Sequence, residues 1–580
     1  MNRWTVDLET TTDPDDCRVW AWAACSIENT DRLVMDNSLP GLFAFMAAQK
    51  KDKFYIHNLK FDCDFLIYWL FHNGFKHVAD RKQKAAKTFT TLISDKGMFY
   101  SMTIWFDVRG KNTVKAEIFD SMKVLPMSVD KVAKAFGLPV SKLKIDYHKY
   151  RKPGHKLDKD EADYLAADVR IMAMALQQLF ARGLDAMTLG SNALRDFKAM
   201  LGPHKFEKLF PVPTYDADIR QAYRGGWVYL LPELAGVDQP AGYVLDVNSL
   251  YPWAMHSPNK LPFSEPIWFD GQYRDDKYYP LYVQQLTCQF ELKPGKLPTI
   301  QLKNNPRFIS TQYLTDSADQ FVTLTLTNID LDLFLEHYDV FNITWHSGWK
   351  FRAQAGLFDE YIDYWNGQKV QAALENNPGQ RTISKLMLNN LYGKFSTSPN
   401  VQSKHPVLDL DADIVRYQLQ PPEIRDAVYI PVGAFITSIA RNKTIRAAQL
   451  CHDKGLFIYS DTDSLHLLGS EIPAELEIDA NKLGAWKLET VFSKARYLRA
   501  KCYMETAADP GSNDYHDKVT VAGMPEQLHD LVSYDNFRIG QAYPDLIMLQ
   551  QGEKIKAKLK PVHVPGGIVL VDDVFTIRDR

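Results

Sequence analysis

Cysteine is scarce in this chain, and what there is carries no pattern. The 580 residues hold six, at Cys17, Cys25, Cys63, Cys288, Cys451 and Cys502, with no Cys-x-x-Cys among them. That spacing excludes a zinc ribbon and a disulfide framework, and it fits a reducing cytoplasm. Long apolar runs are missing too. The densest, from Phe65 to Phe71, is far short of the roughly 20 residues a membrane-spanning helix needs. The opening Met1-Asn2-Arg3-Trp4-Thr5-Val6-Asp7 has no apolar core of a secretory leader. There is no internal repeat and no long low-complexity tract. Nor is there a surplus of positive charge. Sixty-eight Lys and Arg stand against 71 Asp and Glu, net -3, so contacts to a polyanion must come from local basic groups.

Aromatic residues are plentiful, with 28 Tyr, 31 Phe and 12 Trp. They suit large cores and base-stacking surfaces alike, and composition does not separate the two. A hydrophobic share of 46% with 24% charged residues is ordinary for a soluble globular chain. The length exceeds what one core supports, so several domains are expected.

The pattern around which the rest arranges itself is Tyr459-Ser460-Asp461-Thr462-Asp463-Ser464. An apolar strand runs into two aspartates one residue apart, and a second apolar strand leaves. An Asp-x-Asp alone is most often a solvated turn. Carried on rigid strands, it can also hold Mg²⁺ against phosphate oxygens, since that ion takes a few carboxylates and fills its shell with water and substrate. Asp246 ends the strand Tyr243-Val-Leu-Asp246, ahead of a proline at 252. It is the expected third carboxylate, giving a two-metal arrangement suited to nucleotidyl transfer. Tyr251 follows, where a ring under an incoming sugar would leave no room for a 2′-OH; the same ring would also serve in a core.

A second acid set lies in the first two hundred residues. Asp7 and Glu9 alternate along Trp4-Thr-Val-Asp7-Leu-Glu9 and so share one strand face. Asp62 follows the strand Phe54-Tyr-Ile-His57 and opens an apolar helical stretch. Asp158-x-x-Glu161 has the form of a capping box for a helix through Leu179, on which Tyr164 and Asp168 share a face. Four such carboxylates can hold two Mg²⁺ about 3.5–4 Å apart and activate a water against a phosphodiester. Tyr164 could orient that water.

Between the two sets, Pro203 to Asp218 reads as a polar linker, followed by Tyr223-Arg224-Gly225-Gly226, whose glycines let a backbone approach a phosphate. Residues 260–357 carry many short strand patterns, with turns at Pro262, Gly271, Gly295 and Pro306. Residues 397–427 read as a polar loop with strand-like fragments. A helical hairpin lies between, from Phe358 to Asn376 and from Thr382 to Phe395, turning at Asn377-Pro-Gly379. Arg381, Lys385, Asn389 and Tyr392, spaced 4, 4 and 3 apart, form one stripe. Two cations suit a triphosphate and the tyrosine suits a base. Thr437 to Arg441 is expected to open a helix. Lys494 to Tyr503 alternates basic and aromatic residues, as a strand laid on nucleic acid would. Lys554, Lys556, Lys558 and Lys560 have strict period two, and Pro565-Gly566-Gly567 then turns the chain. A hairpin with one basic face can track duplex phosphates, with a steep salt dependence.

Taken in order, these motifs span nearly the whole chain. They resemble the phi-29-type protein-primed family B DNA polymerases of small Bacillus phages. His57-Asn-Leu-Lys-Phe-Asp62, Lys385-Leu-Met-Leu-Asn389 and Val564-Pro-Gly-Gly carry the likeness. The resemblance implies an α+β multidomain protein: an RNase H-like 3′–5′ exonuclease domain (1–187), palm (188–259 and 428–532), fingers (358–396), thumb (533–580) and two insertions (260–357 and 397–427). The first insertion would serve terminal-protein priming, the second strand displacement and processivity.

It implies roles by position as well. Asp7, Glu9, Asp62 and Asp168 become exonuclease metal ligands, and Thr10, Asn58 and Phe61 handle the single-stranded 3′ end. Lys142 assists the scissile phosphate and Tyr147 the frayed strand. Val247 joins Asp246, Asp461 and Asp463 at the polymerase metals. Tyr251, Arg381, Lys385, Asn389 and Tyr392 bind the dNTP. Tyr223 to Gly226, Arg441, Lys501, Tyr503 and the four thumb lysines touch DNA. Mg²⁺, two per site and replaceable by Mn²⁺, is the implied cofactor. Implied partners are primer-template and single-stranded DNA, dNTPs and a phage terminal protein, with a polymerase otherwise monomeric, off the membrane, in the cytoplasm of an infected bacterium. Three departures stand out: Arg381 where lysine is usual, a short connection between Tyr503 and Ala522, and a tail to Arg580. On residues alone, a stand-alone exonuclease with a DNA-binding C-terminal part, or a non-catalytic nucleic-acid-binding protein, stays open.

Overall fold

The computed structural model describes residues 2–579 apart from 111, 148, 213, 303, 304, 306, 308–311 and 545–556. Two large sheets dominate. The first runs, strand by strand, Leu33–Asp36, Val19–Ser26, Arg3–Thr10, Lys53–Ile56, Asn112–Asp120, Phe99–Arg109, Thr88–Ile93, Lys76–His77. Val19–Ser26 is buried along its whole length, which its sequence Val-Trp-Ala-Trp-Ala-Ala-Cys-Ser permits by being apolar on both faces. The helix Lys159–Phe180 packs on this strand and on Arg3–Thr10. The expected capping box is present: Asp158 accepts from the Glu161 N–H, and Glu161 accepts from the Asp158 N–H.

The second sheet runs His516–Val521, Cys502–Ala508, Trp486–Arg499, Gly242–Val247, Ser464–Leu468, Phe457–Asp461, Val228–Leu230. The helix Ile430–Asp453, buried almost throughout its first three turns, packs against it. Thr437 to Arg441 therefore lie inside a helix already two turns old; Pro431 in its first turn marks the true start.

Other expectations are corrected. Pro203 to Asp218 is no linker, for it forms helices Pro203–Leu209 and Asp216–Arg220, with Pro203 at the first helical position and Phe206, Phe210 and Ile219 in the core. Pro252 lies not at the strand end but in the first turn of the helix Leu250–Met255. Among the described residues, 260–357 make not many short strands but four, in the order Leu261–Asp270, Tyr338–Gln354, Leu281–Leu292, Val322–Thr327, with a helix Asn328–His337. Pro262 lies within the first of these strands; Pro306 is outside the described residues. The helical hairpin is Asp359–Leu374 and Pro378–Asn390, with a further turn Tyr392–Phe395; Asn377 caps the second helix and Pro378 begins it. Lys494 to Tyr503 is two strands, Trp486–Arg499 and Cys502–Ala508, joined by a tight turn with Lys501 at φ 55°. The stretch from Tyr503 to Ala522 is taken up by the next hairpin.

Residues 397–427 are not a loop. Lys404–Asp409 pairs with Ile414–Leu419, and Asn400–Val401 with Glu423–Ile424. This hairpin lies on the helix Leu59–His72. Tyr417 donates to Asp64 Oδ1 at 2.5 Å, and Tyr68 to Asp413 Oδ2 at 2.6 Å. The C-terminal hairpin Lys558–Val564 with Gly567–Asp573 closes on the same helix. Gly566, at φ +98°, passes so near the first sheet that a Cβ there would lie 1.9 Å from the Cys17 carbonyl oxygen.

Candidate active sites

The first site is built on Arg3–Thr10, an interior strand of the N-terminal sheet. Glu9, Asp62 and Asp168 are buried, and Asp7 keeps some exposed surface. Burial pushes the Asp7 carboxyl up to about 7, with the facing Asp168 adding to it. Burial likewise raises Glu9, reinforced by Asp7 and Asp168, and raises Asp62, reinforced by Asp7. Acids from one strand, a helix start and a distant helix thus share one field. Lys142 donates to Asp168 Oδ2 at 2.9 Å. Burial lowers its pKa, but the charge and hydrogen bond of Asp168 outweigh this and hold it above the usual lysine value. Asp168 Oδ1 is buried without a hydrogen-bond partner.

Tyr164 is buried, and its hydroxyl meets that of the exposed Tyr147 at 2.7 Å. Asn58 is exposed at φ 63°, and Phe61 is half-buried against Phe65. Thr10 ends the first strand, next to the acids. One residue was not foreseen. Buried Asp120 accepts from the Asn58 and Met122 N–H groups and so fixes the turn that carries Asn58. Its place at a strand end was the only available signal.

The second site is at the centre of the second sheet. Asp246 and Asp461 both lie opposite Ser464, on the strands either side of Ser464–Leu468, and the Val247 N–H donates to the Asp463 carbonyl at 2.8 Å. The Val247 side chain is buried and apolar, so only its carbonyl could face a cation. Burial raises Asp246 to about 7, with Asp463 and Glu489 adding to it; burial also raises Asp463, with Asp461 and Glu489 adding. Glu489, exposed on Trp486–Arg499, is a second acid that sequence reasoning missed, because nothing nearby marks it. Lys501 donates to both oxygens of Asp461, at 2.7 and 2.8 Å.

Among the described residues, no three or more His, Cys, Asp or Glu side chains are drawn together into a group that could hold a metal ion as they stand. Both acid sets are nevertheless all-oxygen and mutually repelling, and each has an ammonium on one carboxylate. A divalent cation fits such a donor set.

Tyr251 stacks on Tyr392 with ring centres 4.1 Å apart, and Tyr223 lies beside both. Arg381, Lys385 and Asn389 form an exposed stripe ahead of them. Lys369, on the preceding helix, was missed: burial lowers its pKa, and Arg381 and Lys385 lower it further, so three cations converge.

Gly226 has no room for a side chain, because a Cβ would lie 2.6 Å from Thr462, between the two aspartates. The Thr462 N–H donates to the Trp227 carbonyl at 2.8 Å. The Tyr223–Gly226 segment thus buttresses the aspartate hairpin. Arg441, expected to touch template, is 4% exposed and spent inside the protein. It pairs with Asp330 and donates to the carbonyls of Arg224 and Gly225, while Arg224 donates to the Thr325 carbonyl. The helix Asn328–His337, through Asp330, thus holds its guanidinium inside the protein. Tyr503 is half-buried. Of the four C-terminal lysines, Lys558 and Lys560 share a strand face; Lys554 and Lys556 are outside the described residues.

A family model described as DNA polymerase type B, organellar and viral, matches residues 45–154 and 144–479. The DNA polymerase of Bacillus phage phi29 is 42% identical over 591 residues, covering 99% of each chain. That of Streptococcus phage Cp-1 is 31% identical over 599 residues, covering 99% of this chain and 98% of its own. A solved structure of phi29 DNA polymerase with primer-template DNA and incoming nucleotide matches at a TM-score of 0.92 and 41% identity, over all of both chains. The chain belongs to the type B DNA polymerases, organellar and viral, in their phi29-type branch, and is a multidomain DNA polymerase.

Proposed function

We propose that the polymerase works with two separate acid sites, one that extends a primer and one that removes its errors. The pairing of Lys501 with Asp461 at one acid set and of Lys142 with Asp168 at the other is the observation that supports this most directly. Asp246, Asp461, Asp463 and the Val247 carbonyl would hold one pair of Mg²⁺ ions, and Asp7, Glu9, Asp62 and Asp168 another. Bound there, the cations supply charge neutralisation and an activated oxygen nucleophile.

In extension, Lys369, Arg381 and Lys385 neutralise the triphosphate, and Tyr251 on Tyr392 forms the floor under sugar and base. The primer 3′ oxygen bonds to the α-phosphorus, the α–β phosphoanhydride bond breaks, pyrophosphate leaves and the hydroxyl proton passes to solvent. In proofreading, Asn58, Phe61, Thr10 and Tyr147 seat the frayed end. A water oxygen bonds to the terminal phosphorus, and the ester bond to the preceding 3′ oxygen breaks. Complexes of the phi29 enzyme with primer-template DNA, incoming nucleotide and single-stranded DNA support the same ligands for this chain.

On this reading, residues 1–187 are the exonuclease domain, 188–259 and 428–532 the palm, 358–396 the fingers and 533–580 the thumb. Residues 260–357 receive a terminal protein whose hydroxyl primes synthesis in place of a 3′-OH, and 397–427 part the strands ahead. The protein would act in the cytoplasm of an infected bacterium; among the described residues no helix is long and apolar enough to cross a membrane. Extension on a primed circle with Mg²⁺ and dNTPs tests the reading. Product longer than one circuit and excision of a mispaired terminus are expected; single-circuit product, or no excision, would contradict it.

A further inference from the structure

Beneath Asp461 lies a buried polar layer that neither site uses. Glu505 is 1% exposed, on the strand Cys502–Ala508. It lies two residues beyond Tyr503, so both side chains leave the same face. Its Oε1 accepts from His466 Nδ1–H and from the Tyr497 hydroxyl, both at 2.7 Å. His466 and Tyr497 are themselves buried, and their rings flank Tyr459, with centres at 5.1 and 5.6 Å. The hydroxyl of Tyr459 does two things. It accepts the Lys501 N–H at 2.9 Å, and it donates to Asp461 Oδ2 at 3.3 Å. Tyr503 closes the layer against His466, Tyr459 and Tyr497, with ring centres 5.0 to 5.5 Å away.

A carboxylate is costly to bury, and an apolar side chain would fill the same space at less cost. Burial alone would raise Glu505, but the charge and hydrogen bond of His466 and the Tyr497 hydroxyl outweigh it and hold the acid below its usual value. A fully satisfied network of this kind fixes ring positions that apolar packing leaves freer.

We propose that Glu505 is a positioning residue for polymerisation: through His466 and Tyr497 it fixes Tyr459, whose hydroxyl ties the Lys501 turn to Asp461. The proposal rests on the assignment of Asp461 to polymerisation, which Asp461→Ala tests on its own.

The experiment compares Glu505→Leu, Glu505→Gln and Tyr497→Phe in single-nucleotide addition to a matched primer, with degradation of a single-stranded oligonucleotide by the same protein as reference. Glu505→Leu is expected to lower kcat at least about tenfold, with KM for dNTP within about twofold and single-strand degradation unchanged. Glu505→Gln keeps an acceptor oxygen and is expected to recover most of the rate. Tyr497→Phe, which loses one hydroxyl and little volume, falls between. A normal kcat in Glu505→Leu, equal loss in the Leu and Gln variants, or a parallel fall in single-strand degradation would overturn the proposal. If Glu505→Leu fails to fold, an unchanged kcat in Tyr497→Phe overturns it instead. Retained extension in Asp461→Ala would mark failure of the two-site assignment rather than of the role of Glu505.

Discussion

Lys501 reaches both carboxylate oxygens of Asp461, at 2.7 and 2.8 Å, although 40 residues separate them. The contact depends on the tight turn that throws Lys501 back over the strand Phe457–Asp461, with φ at 55° and its N–H held by Tyr459. The pair is exposed, so its worth to stability is small. Its worth is in placing an ammonium beside the carboxylate and the primer end. Lys501→Ala is expected to slow primer extension about tenfold while leaving single-strand degradation intact. The ratio of the two rates, measured on one preparation, checks it.

The raised acids set a pH dependence. Asp7 and Asp246 both titrate near 7 in the folded chain, against 3.8 ordinarily. Folded protein therefore binds these protons more tightly than unfolded protein. Their contribution to stability is fully present below about pH 4 and is lost as pH rises through about 7. Metal-free protein is expected to melt at falling temperature from pH 5 to 8, and Mg²⁺ to restore the loss most at pH 8, where it meets no protons. Melting curves with chelator and with Mg²⁺ across that range give the answer; a flat metal-free profile would contradict the burial of these acids.

Tyr251, stacked on Tyr392, is the candidate gate against a 2′-OH. Replacing the ring by valine opens that space. Tyr251→Val is expected to raise incorporation of ribonucleotides relative to deoxynucleotides by at least about tenfold. Competition between dGTP and GTP on one template measures it.

The clasp between residues 397–427 and the helix Leu59–His72 turns on Tyr417. Its hydroxyl serves Asp64, whose side chain is only 3% exposed. Tyr417→Phe leaves a buried carboxyl without this donor, at a cost of about 1–3 kcal/mol. A lower melting temperature and shorter products on a primed circle are expected, with single-nucleotide addition unchanged.

The acids were legible in sequence because short periodic patterns place them: Asp7 and Glu9 alternate on one strand, Asp62 opens a helix, Asp168 lies one turn beyond Tyr164, and Asp246 and Asp461 lie at or near strand ends. Asp7, Glu9, Asp62 and Asp168 fall in one field, and Asp246 beside Asp461 and Asp463, as their motifs imply. The stripe Arg381, Lys385, Asn389 was legible because helical spacing alone places it. What escaped depends on partners far apart in the chain. Arg441 carries no local mark that Asp330, 111 residues away, buries it. Lys369 needs the pairing of two helices before it meets Arg381. Glu505 looks like any strand glutamate until His466 is brought beside it. Pro203 misled for a different reason: proline opens a helix as readily as it breaks one.

The central claim is that two carboxylate sites act independently. Asp461→Ala and Asp7→Ala, each assayed for dNTP incorporation on a primed template and for degradation of a single strand, test it most directly. Asp461→Ala is expected to abolish incorporation and keep degradation, and Asp7→Ala to do the reverse. Loss of both activities in either folded variant would contradict the account.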